Sequence, residues 1–355
     1  MTRPARVSFN PAAVRANLEG VRALAPASKV LAIVKADGYG HGIVRMARAL
    51  GDVDALGVAS LEEAVRLRDA GIQRPIVLLE GPFEARELVE INLHRLESVV
   101  HNAEQLAWFT RHQGTAPLWL KIDTGMHRLG FTPEDATAAL AALAGSGRTL
   151  RVMTHFHSAH IEGAQSVSSQ FALFKATVRD LQVEHCLANS SALLQWPQTR
   201  CDWIRPGLLL YGVSPVAHLS AVELGLRPAM TVSSALIAVR DVPAGGTIGY
   251  GGTWRCPENM RVGVVAFGYA DGYPRHAGTG TPVLVNGVRT QILGDPTMDM
   301  LMVDLRGLPS ARVGDSVVLW GEGLPVEEIS GHAGTIPYEL LCRMRMRAPV
   351  VELAR

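Results

Sequence analysis

Five apolar residues, Val30 to Val34, run into Lys35, and a glycine-rich turn bearing Tyr39 follows as Ala36-Asp37-Gly38-Tyr39-Gly40-His41-Gly42. An apolar run this rich in branched side chains reads as a strand buried on both faces. A lysine at its end has lost part of its water, which disfavours the ammonium and turns the amine into a nucleophile able to form a Schiff base with an aldehyde. The plainer alternative is a lysine that caps the strand and reaches out to solvent. A second chemistry is available at His155-Phe156-His157. An HxH pair on an extended segment points both imidazoles to one face, as in a metal-dependent hydrolase, with His160 close behind and a carbamylated Lys121 as a bridging ligand. That reading lacks a further His/Asp set at ligand spacing.

These residues need elements to hold them. Up to about residue 215, apolar segments ending at Asn10, Lys35, Ser60, Gly81, Val100, Asp123, Phe156, Asn189 and Gly212 alternate with helical patterns such as Pro11 to Leu24, Leu61 to Ala70, Pro133 to Ala144 and Val167 to Leu181. Asn10-Pro11 reads as a cap followed by proline in the first turn, and Ser60-Leu61-Glu62-Glu63 as a capping box. Repeated βα units over this length predict a (β/α)8 TIM-type barrel, an open doubly wound sheet being the alternative. The polar residues cluster just after strand ends, where barrels carry their chemistry. From about residue 225 the pattern becomes β-rich, with a hairpin signal at Asn286-Gly287 and short helices near Glu327 to Gly331 and Tyr338 to Met344. The expected organisation is α/β: a barrel domain over 1–225, then a mainly antiparallel β domain over 226–355.

The 355 residues include 48% hydrophobic and 6% aromatic side chains and carry a net charge of +1. That balance offers no bulk attraction to nucleic acid or an acidic membrane. No window is long and apolar enough to span a bilayer, and the N-terminal segment lacks a secretory pattern. The four cysteines, Cys186, Cys201, Cys256 and Cys342, are scattered, with no CxxC pair. A reduced, cytoplasmic protein is expected.

Eight segments occur in order: KADGYGHG from Lys35, KIDTGMHRLG from Lys121, THF from Thr154, ANSS from Ala188, RPG from Arg205, GYGGTW from Gly249, GYADGYPRH from Gly268 and MDM from Met298. This ordered set resembles the bacterial alanine racemases, fold-type III enzymes dependent on pyridoxal 5′-phosphate (PLP), from about residue 7 to the end. The resemblance implies that Lys35 holds PLP and is the base for D-alanine, while Tyr250 is the base for L-alanine on the opposite face. A phenol with an ordinary pKa near 10 is a poor base at neutral pH, and His155 matches the family histidine that hydrogen-bonds it. Arg205 matches the arginine facing the pyridine nitrogen. Permanently protonated, it would keep that nitrogen an unprotonated acceptor and weaken the electron sink.

By the same resemblance the phosphate falls to Tyr39, Ser190 and the backbone of Gly207 and Leu208, with Asn189 alongside. Arg128 and the Met298 N–H bind the substrate carboxylate, and Lys121 matches a lysine that many members carbamylate. Tyr269 and Asp271 match residues at the substrate entrance. The resemblance also implies a head-to-tail homodimer in which Tyr250 and Met298 of one subunit complete the site around Lys35 of the other. The chain departs from the family at Asp37-Gly38, where many members have Asn-Ala. It departs also at Asp295-Pro296-Thr297, where some have arginine, and at Met346, aligned with a C-terminal tyrosine that closes the phosphate site. A non-catalytic PLP-binding barrel remains as a further reading, though such proteins lack a β domain.

Overall fold

The computed structural model describes residues 3–344 and 347–353. β1 (Arg6–Phe9) is followed by the helix Pro11–Leu24, whose start is capped as expected: Asn10 Oδ1 accepts from Ala13 N at 3.1 Å, with proline in the first turn. Eight parallel strands then close a barrel: β2 (Lys29–Ile33), β3 (Ala55–Val58), β4 (Ile76–Leu78), β5 (Glu97–Val100), β6 (Leu118–Lys121), β7 (Leu150–Met153), β8 (Glu184–Asn189) and β9 (Trp203–Arg205). Closure is made where Lys29 and Val30 lie opposite Trp203 and Ile204. Most strand residues are wholly buried, because one face fills the barrel and the other packs under helices.

The floor of the barrel holds one saturated ionic network. Arg151 donates to Glu97 at 2.8 Å and Glu184 at 2.6 Å, and Lys29 donates to Glu184 at 2.6 Å. The indoles of Trp119 and Trp203 donate to Glu97 and Glu184 at 2.7 and 2.9 Å, and the Arg151 guanidinium lies 4.9 and 5.2 Å from the same two rings. Side chains from β2 and from β5 to β9 thus share one network.

The rest of the chain builds a second sheet from β10 (Met230–Val242), β13 (Met260–Val265), β14 (Pro282–Val285), β15 (Val288–Gln291), β16 (Leu301–Asp304), β17 (Ser316–Trp320) and β18 (Val350–Glu352). β11 (Thr247–Ile248) and β12 (Trp254–Arg255) form a separate small hairpin. Pairing is antiparallel except between β1 and β18. The Asn286-Gly287 turn joins β14 to β15, both residues at positive φ.

Three local expectations fail for physical reasons. The segment ending at Gly212 is no strand, since β9 stops at Arg205 before Pro206 and Leu208–Tyr211 wind into a 3-10 turn closed by Gly212 at positive φ. The first candidate strand lies outside the barrel: β1 pairs with β10 and β18, so the chain starts in the second sheet before entering the barrel. The capping box at Ser60 does not form, and Ser60 makes no side-chain cap. Glu63 is diverted, accepting from Ala59 N at 2.9 Å and Asp37 N at 3.3 Å. No helix among the described residues is long and apolar enough to cross a membrane.

Candidate active site

β2 stops at Ile33, two residues before Lys35. Ala36, Asp37, Gly38 and Tyr39 then take φ of 54°, 54°, 61° and 47°, a left-handed turn. Such backbone costs roughly 1–2 kcal/mol per non-glycine residue, so the surroundings must impose it. Asp37 Oδ1 accepts from Ile43 N at 3.1 Å and Arg66 at 3.0 Å, while Glu63 receives Asp37 N. Asp37 therefore supplies an ion pair that asparagine would not. Burial pushes the His41 imidazole down to about 4. It is therefore neutral near pH 7, and its Nδ1–H donates to Tyr39 O at 2.8 Å, with Gly38 O at 3.1 Å. A Cβ on Gly40 would lie 2.1 Å from Leu341 O, so only glycine lets the helix Pro337–Cys342 pack against this turn.

The turn opens on a cavity of about 570 Å³ at the C-terminal mouth of the barrel. Of the residues singled out from sequence, Lys35, Tyr39, Lys121, Arg128, His155, Asn189, Ser190, Arg205 and Gly207 line it. Tyr39 stacks on Tyr211 at 4.6 Å, and burial, with Tyr338 next, holds its phenol well above the ordinary range. It stays a hydrogen-bond donor. Ser190 Oγ accepts from Gly207 N at 2.8 Å, and a Cβ on Gly207 would come 2.8 Å from Tyr39 Oη. Glycine thus leaves the Tyr39 phenol and the Ser190 hydroxyl open to one small group, the Gly207 N–H being spent on Ser190 Oγ. The Leu208 N–H makes no hydrogen bond among the described residues, although its side chain is buried outside this cavity.

Arg205 is 6% exposed. Its Nη1 donates to Cys186 O at 2.9 Å and Cys186 Sγ at 3.3 Å, and its Nη2 to Thr154 O at 2.7 Å and His155 Nδ1 at 3.2 Å. Of five guanidinium N–H groups, Nε–H alone has no partner among the described residues and is left for a ligand. Two donors approach the His155 ring, Arg205 Nη2 at Nδ1 and Asn189 Nδ2 at Nε2, at 3.2 and 3.4 Å. A neutral imidazole accepts at one nitrogen, and the shorter, charged contact makes that Nδ1 and leaves the proton on Nε2. Burial, then Arg205, Lys121, Arg128 and Lys35, hold His155 well below its usual value. Burial, followed by Arg205, Arg128 and Lys35, brings Lys121 down to about 8 against the pull of Asp123. Asp123 Oδ1 accepts three backbone N–H groups, from Gly125, Met126 and His127 at 2.9, 3.0 and 3.1 Å, which shapes the loop carrying Arg128.

The side chains of Lys35, Lys121 and Arg128 form no hydrogen bond or ion pair among the described residues. Three cations without acceptors beside Arg205 suit a ligand bearing a phosphate and a carboxylate. Tyr250, Met298 and Tyr269 stand apart from this cavity, 79%, 53% and 39% exposed. Tyr250 follows Gly249 at the tip of the β11–β12 hairpin, with positive φ at Gly249, Gly251 and Gly252. Asp271 is buried, not at a surface entrance. Sequence reasoning missed Glu80, Tyr338 and Cys342 in the cavity wall. Met346 lies outside the described residues, but Tyr338 tilts against Tyr39 at 5.5 Å, so a C-terminal tyrosine does reach the cavity.

Family models agree with this architecture. The alanine racemase N-terminal domain matches residues 9–215 and the C-terminal domain residues 229–352. The chain belongs to the alanine racemase family. Alanine racemase of Nitrosospira multiformis is 47% identical over 352 residues, covering 98% of this chain and 99% of that protein. The biosynthetic alanine racemase of Escherichia coli is 46% identical, covering 97% of both. The crystal structure of biosynthetic alanine racemase from Pseudomonas aeruginosa superposes with a TM-score of 0.96 at 43% identity, covering 99% of this chain and 100% of that one. That of Bartonella henselae, described with covalently bound pyridoxal phosphate, gives 0.89 at 26% identity and 99% coverage of both.

Membership overturns the metal-hydrolase reading, and the geometry gives the reason. His155 is turned into the racemase-type cavity beneath Arg205, whereas His157 is exposed and bonded to Ser158. The match of the second domain likewise removes the non-catalytic barrel alternative.

Proposed function

We infer that the chain interconverts L- and D-alanine with PLP, using Lys35 and Tyr250 as bases on opposite faces of the substrate. The observation that carries this is the gathering of cations without protein acceptors around the strained turn that bears Lys35. When bound through an amine, PLP delocalises the electron pair left behind by the α-proton. Lys35 Nζ holds the cofactor and then takes the proton of D-alanine; the Tyr250 phenol takes that of L-alanine. Tyr39, Asn189, Ser190 and the backbone of Gly207 and Leu208 would hold the phosphate, the Leu208 N–H being the backbone donor without a partner among the described residues. Arg205 would offer its remaining Nε–H to the ring nitrogen, and His155 would offer Nε2–H to the Tyr250 oxygen. Arg128 and the Met298 N–H receive the carboxylate, with Tyr269 nearby. The low proton affinity of Lys121 supports reaction with CO2; an intact mass lacking that increment would remove the carbamate from the scheme.

The division of labour follows the two parts of the chain, 1–225 carrying the cofactor and 226–355 the second base. Tyr250 and Met298 are exposed and away from Lys35, which supports a head-to-tail homodimer whose sites combine both subunits. The four cysteines form no disulfide among the described residues, which supports a cytoplasmic setting.

Racemisation of either enantiomer with added PLP, measured on the wild type and Lys35→Ala, tests the reaction. Mixing Lys35→Ala with Tyr250→Phe tests the shared site. Random pairing makes half the dimers mixed, each with one intact site, so roughly a quarter of wild-type activity should return. No return after demonstrated subunit exchange would refute the shared arrangement.

A further inference from the structure

Three charged side chains outside the cavity, Arg3, Asp271 and Arg347, converge on the segment Met298-Asp299-Met300. The Asp271 side chain is 0% exposed. Its Oδ2 accepts from Arg3 Nη2 at 2.7 Å and Gly268 N at 2.9 Å, and its Oδ1 from Arg347 Nε at 3.1 Å. Both arginines then reach on to the same neighbour: Arg3 Nη2 donates to Asp299 O at 2.9 Å and Arg347 Nη2 to Asp299 Oδ1 at 2.7 Å. Residues near the two ends of the described chain therefore meet on one buried carboxylate and grip one loop.

The loop is held from the other side by backbone. Tyr269 N donates to Thr297 O and Ala270 N to Met298 O, both at 3.0 Å. A Cβ on Gly268 would lie 2.4 Å from either carbonyl, so glycine is required for this approach. Thr297 N closes onto Met300 O at 2.9 Å, and Thr297 Oγ1 accepts from Met300 N at 3.1 Å. The N–H groups of Met298 and Asp299 are left without a partner among the described residues. The bracing leaves donors free on an exposed segment whose own flexibility would otherwise be high.

We propose that Arg3 and Arg347 are positioning residues for substrate recognition, fixing the Met298 N–H through Asp271 and Asp299 so that it meets the substrate carboxylate in a set direction. This rests on the reading above that Met298 binds that carboxylate. Neither arginine touches the reacting atoms. Their contribution is to remove the conformational freedom the loop would lose on binding. It acts equally on bound substrate and transition state, which moves KM and not kcat.

The test uses the PLP-loaded enzyme and propionate, a carboxylate with no amino group. Propionate dissociation constants are measured by calorimetry, alongside KM and kcat for alanine and the melting temperature. Arg3→Gln and Arg347→Gln should each weaken propionate roughly tenfold, the scale of one hydrogen bond to a charged group. KM should rise in step, with kcat within about twofold of wild type. Arg3→Lys should recover part of the loss, as lysine restores the charge without the fork. Met298→Pro, which deletes the N–H, and Arg128→Gln are the references. Weaker propionate in the references with unchanged affinity in both arginine variants overturns the proposal alone. Unchanged affinity in the references as well removes the carboxylate reading with it. If the arginine variants do not fold, Asp299→Asn, at a half-exposed side chain, decides: an affinity equal to wild type counts against the clamp, and a severalfold loss supports it.

Discussion

The two ends of the barrel are both lined with charge and use it in opposite ways. At the floor, Arg151 and Lys29 face Glu97 and Glu184, and two indoles supply further donors, so every formal charge has a counter-charge. At the mouth, the side chains of Lys35, Lys121 and Arg128 have no acceptor among the described residues, and Arg205 spends its bonds on carbonyls, a thiol and His155. The floor resembles a buried network that specifies strand order. The mouth resembles a site whose missing anions arrive with its ligands. Even the backbone shares the contrast, since the left-handed turn at Ala36 to Tyr39 sits at the mouth.

Substitutions at the two ends should separate activity from stability. The largest effect is expected for Lys35→Ala: racemisation should fall at least about a thousandfold, within the range of a positioned acid–base group, with thermal unfolding little changed. At the floor, Arg151→Met should destabilise by about 3–5 kcal/mol, because Glu97 and Glu184 lose their shared partner inside the barrel. Denaturant titration measures this, and kcat of the folded fraction should stay close to wild type. A floor variant that lost turnover without losing stability would erase the distinction.

The pH dependence of stability should split the same way. Burial raises Glu184, but hydrogen bonds from Lys29, Trp203 and Arg151 outweigh it and bring the carboxyl to about 2 from 4.5. Its stabilisation is therefore present above pH 4.5 and lost as pH falls toward 2. At the mouth, His41 is lowered from 6.5 to about 4. Between those values the unfolded chain binds the proton and the folded one does not, so stability declines as pH drops from 6.5 toward 4. Glu184→Gln should flatten the lower window and His41→Asn the upper one in urea unfolding followed against pH. Away from both ends, Asn10→Ala removes an ordinary helix cap and should cost only about 1 kcal/mol, with no change in activity.

Much of this was legible in the sequence because it depends on local pattern. The helices Pro11–Leu24 and Pro133–Ala144 begin at a capping side chain followed by proline, and such starts need no tertiary information. Alternating strands and helices specified the barrel, and the ordered motifs specified the family and nine of the residues that line the cavity. Other features were beyond local reasoning. Nothing near Arg6 marks β1 as a partner of β10 more than two hundred residues later. The Ser60 box looked complete, but a strained turn from another part of the chain took Glu63. Tyr338 lies far in sequence from Lys35 and reaches the same cavity because Gly40 admits its helix.

By itself the sequence determined which chemical groups are present and which local elements carry them, since short-range hydrogen bonding and hydrophobic period depend on neighbours along the chain. Only the tertiary structure decided which charges are neutralised and which stand open. Arg151 and Arg205 look alike in the sequence, each within an apolar strand. Barrel closure places Arg151 among carboxylates and Arg205 on a cavity wall with one N–H to spare, because the energy of a buried charge depends on what surrounds it in space.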